Sequence, residues 1–397
     1  MIADDSAFMR KVLSDLFQKQ PDFEVVGTAM NGKDTISKVK SLQPDLVTLD
    51  VNMPVMDGIN ALAVIMSECP TPVVMISSLT QQGTEATIRA LSLGAVDFIS
   101  KAGGSISKID TIENDILAKC RGAVKANVRN IGDSGRKRRL MQQDFPTMRR
   151  IDLPQRTGRK LVSAKNVQPP QPEAQAPGLA RRQNPLLQRR SKPALVPHPI
   201  STEFSGTGSG KLVVIGTSTG GPQALQRVIT RLPGNLPCGV VIVQHMPAGF
   251  TKSLAERLNS ISAISVKEAE HEDIIEPGWV YIAPGNYHLK VVPNGSSRQI
   301  QLNQDPPVGN HRPAVNVMYD SVAQFGKDLV AVIMTGMGCD GCEGMKNIKS
   351  HGGYSIAQNE ETSVVYGMPK AVVEAGLADE IRPLDDIARA IVEAVKK

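Results

Sequence analysis

The stretch DLVTLDVNMPVMDGINALAVIMSE, residues 45–68, contains a predicted strand, a loop and a predicted helix in that order. Residues 45–51 form a short apolar, β-branched run, and the apolar residues of 61–66 then recur with the spacing of one helix face. Three further runs of the strand type occur in the same part of the chain: 23–29, 72–77 and 95–100. This regular alternation predicts a parallel sheet with helices on both faces.

A second region of the same kind begins at residue 211. The apolar run 211–215 leads into GTSTGG, residues 216–221, and then into apolar residues with helical spacing. Apolar runs at 239–244 and 329–334 are predicted to be further strands. The sequence therefore predicts the α/β fold class for both ends of the chain, each with its own doubly wound parallel sheet.

Length and composition exclude several other classes. The chain has 397 residues, which suggests two or three domains. Five cysteines in so long a chain do not make a disulfide scaffold, so a reducing, cytoplasmic location is expected. The first residues are acidic and unlike a signal peptide, and the apolar runs are too short to cross a bilayer, so no membrane insertion is expected.

The excess positive charge lies in the middle of the chain. Residues 129–210 hold 16 of the 45 basic and 5 of the 39 acidic residues, so the remainder carries 29 basic and 34 acidic residues. This interval is rich in proline and glutamine, has little periodicity and is interpreted as a solvated linker. The predicted domains are 1–127, a basic linker at 128–210, and 211–397. Basic clusters such as 136–139 could contact nucleic acid, but nucleic acid is not the expected partner.

Residues with carboxylate, hydroxyl and amine side chains lie at the carboxyl ends of the predicted strands of the first domain, where ligands bind. They are Asp4, Asp5, Asp50, Ser77, Ser78 and Lys101. Converging carboxylates repel one another unless a divalent cation joins them, and oxygen ligands suggest Mg²⁺. A carboxylate supported by Mg²⁺ and a lysine can accept a phosphoryl group. Each aspartate alone could instead be a helix cap or a turn residue.

The first domain resembles the receiver domain of two-component response regulators. The resemblance is carried by ADDS at 3–6, DVNMPVMDG at 50–58, MISS at 75–78 and DFISK at 97–101. It implies a flavodoxin-like fold in which Asp50 is the phosphoacceptor. The implied Mg²⁺ ligands are Asp5, Asp4 through water, Asp50 itself and the backbone carbonyl of Asn52, whereas Ser77 and Lys101 would sense the phosphoryl group. Receivers usually have proline at position 102, where this chain has alanine, and the first strand is expected to be truncated.

The GTSTGG stretch carries the clearest chemistry of the second domain. A strand, a tight glycine turn and a helix form the setting of a nucleophile elbow, with Ser218 as the exposed hydroxyl. A glycine-rich phosphate cradle at the helix N-terminus is the competing interpretation. The motif alone does not decide between them.

A serine nucleophile needs a base and a residue that orients the base. Among six histidines, His245 directly follows the predicted strand 239–244, at the same level of the sheet as Ser218. Asp340 lies in the glycine-rich loop after the predicted strand 329–334, although an Asp-Gly turn would also explain it. Cys339 and Cys342 have redox or zinc spacing, but the companion residues of such sites are missing from the sequence nearby.

The second domain resembles the chemotaxis response-regulator methylesterases, the CheB family. The motifs that match are GTSTGG at 216–221, QHMP at 244–247, YIAPG at 281–285, HRP at 311–313, TGMG at 335–338 and AQNE at 357–360. The resemblance implies that Ser218 is the nucleophile, His245 the general base and Asp340 the orienting acid, with the backbone N–H of Met337 as oxyanion donor. Asn316 stands where the family often has aspartate, and the linker is longer than usual.

The resemblance also implies the function. It predicts a phosphorylation-activated hydrolase that removes methyl esters from glutamate side chains of chemoreceptors, deamidates certain glutamines and adapts chemotaxis signalling. The expected partners are methyl-accepting chemotaxis receptors and a chemotaxis histidine kinase, with no cofactor for the esterase. We further expect the unphosphorylated receiver to cover the Ser218 cleft. The alternative is a phosphorylation-controlled binding module; a transcription factor is disfavoured because a compact helix-turn-helix is not apparent.

Overall fold

The computed structural model describes residues 1–78, 80–101, 109–126, 199, 200, 204 and 210–397. Most of the predicted linker, including the basic cluster at 136–139, lies outside these residues, so the predicted boundaries at 127 and 210 stay predictions. In the part described, no helix is long and apolar enough to cross a membrane.

The first domain is a parallel sheet of five strands in the order β2-β1-β3-β4-β5. Its elements in chain order are β1 (Ile2–Ala3), α1 (Ala7–Gln18), β2 (Thr28–Ala29), α2 (Gly32–Leu42), β3 (Val47–Asp50), α3 (Gly58–Glu68), β4 (Val73–Ser78), α4 (Gln81–Leu93), β5 (Asp97–Lys101) and α5 (Ile109–Val124). Four of the helices begin at a polar side chain that accepts a backbone N–H of the first turn: Ser6, Asn31, Asp57 and Thr80. Each such cap stabilises its helix by about 1 kcal/mol.

The predicted strand at 23–29 is shorter in the structure, where only Thr28–Ala29 belongs to the sheet. β2 pairs with β1 alone, and β1 itself has two residues. The ladder begins at the Gly27 carbonyl, which accepts from Ile2 N at 3.0 Å, and residues 23–26 lie outside it. A cavity of about 660 Å³ lies beside them instead. The Met1 amine is buried at this edge, where it donates to the Leu46 carbonyl at 2.9 Å, and burial lowers its pKa.

The second domain is a parallel sheet of seven strands in the order β14-β13-β12-β6-β7-β9-β8, with a separate antiparallel hairpin of β10 and β11. Its strands are β6 (Leu212–Thr217), β7 (Gly239–Gln244), β8 (Ser265–Glu268), β9 (Trp279–Ile282), β10 (His288–Asn294), β11 (Ser297–Asn303), β12 (Leu329–Ile333), β13 (Tyr354–Gln358) and β14 (Glu380–Arg382). Its α-helices are α6 (Gly221–Ile229), α7 (Phe250–Ile261), α8 (Val315–Val322), α9 (Cys342–Ser350), α10 (Met368–Glu374) and α11 (Leu384–Lys396), and a 3-10 helix spans Ala323–Asp328.

The three central strands β6, β12 and β7 are buried along their whole length. Alternate residues of β6 belong to two separate apolar clusters, Val213 and Ile215 to one and Leu212 and Val214 to the other. Apolar side chains therefore cover both faces of the sheet. For this reason the sequences of these strands are continuously apolar and do not alternate with polar residues. The predicted α/β class with two doubly wound parallel sheets is confirmed.

Candidate functional sites

Ser218 occupies the turn between β6 and α6. Its N–H donates to the Thr335 carbonyl at 3.0 Å, and its own carbonyl accepts from Gly221 N at 2.7 Å. Gly220 has a φ of 76°, in the left-handed region, and a Cβ there would lie 2.5 Å from Val364. A Cβ on Gly221 would collide with the Gln244 side chain. The two glycines are therefore required for the turn that leaves Ser218 partly exposed before the first turn of α6.

His245 follows β7 and is hydrogen bonded to Asp340. Its Nε2 lies 2.8 Å from Asp340 Oδ2, and both side chains are buried, with 6% and 10% exposure. An ionised carboxylate only accepts hydrogen bonds, so Nε2 carries the proton of a neutral His245. Nδ1 is buried and has no hydrogen-bond partner within the described residues. The free lone pair of the imidazole is therefore on Nδ1.

Asp340 is fixed from two further directions. The N–H of Val315 donates to Oδ2 at 2.7 Å and the N–H of Asn316 donates to Oδ1 at 3.0 Å, both at the start of α8. Burial alone would raise the pKa of Asp340, but the hydrogen bonds and charge of His245 and the two backbone N–H groups outweigh it and lower the pKa. The carboxylate is therefore ionised at neutral pH.

Asn316 has a role that the sequence analysis did not assign. Its Oδ1 accepts from Gly341 N at 3.0 Å and from Gly344 N at 2.9 Å, which ties α8 to the loop that carries Asp340. The amide oxygen supplies both bonds, so a neutral side chain serves at this position. The sequence analysis noted only that Asn316 stands where the CheB family often has aspartate. That difference did not indicate the hydrogen bonds to Gly341 and Gly344.

The loop after β12 lies against Ser218. A Cβ on Gly336 would lie 2.9 Å from the Cβ of Ser218. The carbonyl of Gly336 accepts from Gly367 and Met368, and its N–H donates to Val365. The next N–H, that of Met337, makes no hydrogen bond to any residue the structure describes. This backbone donor thus belongs to the residue next to Gly336, which lies against Ser218.

The ring of His311 stacks on His245. The two ring centroids are 3.8 Å apart and the planes differ by 11°. Burial and the neighbouring His245 lower the pKa of His311 to about 4.

Cys339 is exposed and Cys342 is half-buried, and both are free thiols. Neither belongs to a metal-binding group of three or more His, Cys, Asp or Glu residues among the residues described.

The first domain holds a cluster of carboxylates. Asp4, Asp5 and Asp50 each place one oxygen within 4.8 Å of the others. Asp4 and Asp50 are buried at the carboxyl ends of β1 and β3, and Asp5 is exposed. Oxygen donors at this spacing fit a Mg²⁺ ion.

The remaining predicted residues of the first domain surround this cluster. Ser77 is buried in β4, one residue beyond the Ile76 that pairs with Asp50, and its Oγ donates to the Gly83 carbonyl at 3.0 Å. Asn52 is exposed, two residues after Asp50. Lys101 is the last residue of β5, and its side chain lies outside the described part of the structure.

The described parts of the two domains form one compact unit, with the first domain against the Ser218 turn. Thr219 Oγ1 donates to Asp97 Oδ2 at 2.6 Å, and the N–H of Gly220 donates to the Val96 carbonyl at 3.3 Å. Both donors belong to the two residues that follow Ser218. The carboxyl end of one sheet therefore meets the start of β5 in the other domain.

Other contacts extend this interface. The rings of Phe98 and Phe250 have centroids 4.3 Å apart. Thr84 Oγ1 lies 3.0 Å from Ser253 Oγ, which joins α4 to α7. A Cβ on Gly122 of α5 would lie 2.9 Å from the sulfur of Met337, so α5 and the Met337 side chain are in close contact. The first domain thus contacts both the turn that carries Ser218 and the loop that carries Met337, the predicted oxyanion donor.

Comparison with known proteins finds a separate family for each of the two domains. The family model of the response regulator receiver domain matches residues 1–111, and that of the CheB methylesterase matches residues 213–391. A protein of Symbiobacterium thermophilum is 45% identical over 100% of this chain and 96% of its own length, and one of Halalkalibacterium halodurans is 44% identical over 100% and 98%. Both are named protein-glutamate methylesterase/protein-glutamine glutaminase. The crystal structure of the Thermotoga maritima CheB methylesterase catalytic domain is 48% identical, covering 46% of this chain and 98% of that one, with a TM-score of 0.46.

The fold and the two sites define a response regulator in which a receiver domain is joined to an α/β hydrolytic domain. The full-length relatives are more specific, and the chain belongs to the CheB methylesterase family. Its receiver domain implies phosphorylation.

Proposed function

We propose that the chain hydrolyses glutamyl methyl esters, and deamidates specific glutamines, on chemotaxis receptors by a Ser218–His245–Asp340 mechanism. The relatives' names supply the activity, as protein-glutamate methylesterases and protein-glutamine glutaminases. The observation that carries the mechanism is the 2.8 Å bond from His245 Nε2 to Asp340, with Nδ1 unbonded among the described residues. That arrangement prepares the imidazole to accept a proton from a hydroxyl.

The reaction begins when Ser218 Oγ attacks the acyl carbon and His245 Nδ1 takes its proton. His245 Nδ1 and the Ser218 hydroxyl are not hydrogen bonded in the structure, and such catalytic bonds often form only in the substrate complex. The imidazolium that results is stabilised by the Asp340 carboxylate on its other nitrogen. The oxyanion accepts a hydrogen bond from the N–H of Met337, while the N-terminus of α6 favours its negative charge.

The second half of the reaction reverses the proton transfers. Protonated His245 gives its proton to the leaving methoxide, which departs as methanol, or to the leaving amino group of a glutamine, which departs as ammonia. Water then attacks the Ser218 acyl-enzyme, and His245 accepts the proton of that water. The glutamate carboxylate is released and Ser218 regains its proton. These steps use only protein groups of the second domain.

The receiver regulates this reaction through Asp50, which accepts the phosphoryl group from a chemotaxis histidine kinase. Asp5, Asp50, the carbonyl of Asn52 and, through water, Asp4 would hold Mg²⁺, whose charge offsets that of the phosphoryl oxygens. Ser77 and Lys101 would bind the phosphoryl group once it is on Asp50. The buried position of Asp50 at the end of β3 supports its role.

The contacts between the domains support a regulatory role for the receiver. Unphosphorylated, it packs on Thr219 and Gly220, beside Ser218, and hinders access of the receptor helix. Phosphorylation draws Ser77 away from the Gly83 carbonyl, and the next residue, Thr84, is the one that contacts Ser253. The change at Asp50 thus reaches α4 and loosens the packing of α4 on α7. The site of action is the cytoplasm, where the glutamyl side chains of the receptors are exposed.

Methanol release from methylated receptor membranes tests this proposal. The wild-type chain and Ser218→Ala are compared, each with and without a small-molecule phosphodonor and Mg²⁺. Release that requires Ser218 and rises with the phosphodonor supports both the esterase and its regulation. Release without any response to the phosphodonor removes the regulatory part. No release in any condition contradicts the esterase and favours a phosphorylation-controlled binding module.

A further inference from the structure

The pair of His245 and Asp340 leaves one motion of the base uncontrolled. A single hydrogen bond at Nε2 fixes the distance of the ring from the carboxylate, but the ring can still tilt about that contact. A tilt moves Nδ1, the atom that must meet the Ser218 hydroxyl. A contact on the face of the His245 ring is therefore needed to prevent this tilt.

The only ring stacked on that face among the described residues is His311, at 3.8 Å and 11°. We propose that His311 is a positioning residue: its stacked ring fixes the plane of His245 so that Nδ1 is directed at Ser218. This inference rests on the proposed function, because it assigns a role within the same catalytic machinery. It requires the flat ring of His311 and not either of its nitrogen atoms.

The segment around His311 is built to keep that ring in place. Val308 and His311 exchange two backbone hydrogen bonds, at 3.1 and 3.0 Å. Arg312 donates to the carbonyls of Gln304 and Asp305 at 2.9 and 3.0 Å and to the Asn286 side chain at 2.6 Å. These bonds fix the backbone on both sides of the imidazole. The backbone that carries the His311 side chain is therefore fixed next to His245.

The same segment also orients the acid. Three residues after Arg312 the chain enters α8, and the N–H groups of Val315 and Asn316 bind the two oxygens of Asp340. One short stretch of backbone thus sets both the carboxylate at the edge of His245 and the ring on its face. A shift of that stretch would move both constraints together.

The charge state of His311 fits this role. Burial and the adjacent His245 keep its pKa near 4, so the ring is neutral at pH 7. A second cation stacked on His245 would oppose the imidazolium that forms when Ser218 loses its proton. A neutral aromatic face can instead stabilise a cation above it.

The test compares His311→Ala with His311→Phe, which retains a flat ring without nitrogen. Two rates are measured for each: methanol release from methylated receptor, and labelling of Ser218 by a fluorophosphonate, which needs the base but not the receptor. His351→Ala, at an exposed histidine, is the control. Thermal unfolding shows that each variant is folded.

We expect His311→Ala to lower kcat for methanol release about tenfold to a hundredfold, the range for a displaced catalytic group, with KM within a factor of two. Fluorophosphonate labelling should slow by a similar factor, and His311→Phe should restore both rates to within about threefold. The proposal is wrong if the alanine variant keeps the wild-type kcat, if only the receptor reaction is slowed, or if phenylalanine does no better than alanine. Failure of the wild-type chain itself to label would instead contradict the proposed function.

Discussion

Replacing Asp340 with asparagine should separate the charge of this side chain from its shape. Asparagine keeps one oxygen that can accept from His245 Nε2 and from Val315, but its amide nitrogen then faces the N–H of Asn316. What the variant loses is the negative charge beside the imidazolium. The expected effect is therefore mainly on the chemical step and less on folding.

The structure gives the size of the effect. His245 and Asp340 are nearly buried and 2.8 Å apart at the bonded atoms, so their charges lie roughly 4 Å apart when His245 is protonated. At an effective dielectric constant of about 20, that attraction is about 4 kcal/mol. A loss of about 4 kcal/mol from the transition state lowers kcat by about 10³-fold.

The assay is methanol release from methylated receptor, with kcat and KM determined separately. Asp385→Asn is the matched control, because this exposed carboxylate forms ion pairs with Arg227 and Arg231 on the surface of the same domain. It should change kcat less than twofold. A kcat for Asp340→Asn within tenfold of the wild type would refute the account of Asp340 as the charge that stabilises protonated His245.

Asp50→Asn should abolish the rise in methanol release caused by a phosphodonor while leaving the basal rate, and removal of Mg²⁺ with EDTA should do the same; a rise that persists would contradict the assignment. Thr84→Arg should raise the methanol release rate of the unphosphorylated chain about tenfold. The larger side chain does not fit between α4 and α7, and it should weaken the packing of the receiver on the second domain by about 1–3 kcal/mol. An unchanged rate would count against the receiver covering the Ser218 cleft. Because the pKa of His311 is lowered to about 4, the unfolded state binds a proton first as pH falls from 6.5, so stability should decline by up to about 3 kcal/mol between pH 6.5 and 4. Urea unfolding of His311→Phe should show a smaller decline over that range than the wild type. The groups whose charges act on His311 are His245, Asp340, Asp115 and Lys119.

The sequence was most informative where a buried strand ends in a polar residue. Asp50 is the last residue of β3, whereas Ser218 and His245 directly follow β6 and β7, and parallel strands bring such residues to one edge of a sheet. That physical rule predicted the α/β fold and the grouping of candidate residues. The strand predicted at 23–29 was wrong for residues 23–26, because the neighbouring strand β1 has only two residues and pairs with Thr28–Ala29.

Other features depend on contacts that no local pattern encodes. The choice of Nε2 for Asp340 and the stack of His311 follow from how α8 approaches the loop after β12. Asn316 holds that loop through an amide oxygen, which the residue type alone does not indicate. The contact of Thr219 with Asp97 joins residues 122 positions apart in the chain. Such pairings need the folded structure, because they depend on the relative placement of whole elements.

The most direct test of the central claim is methanol release from methylated receptor by the wild-type chain and by Ser218→Ala, with the exposed Ser260→Ala of α7 as a control serine. The account predicts release by the wild type and by Ser260→Ala, and none above background by Ser218→Ala. Release by Ser218→Ala at the wild-type rate would contradict Ser218 as the nucleophile.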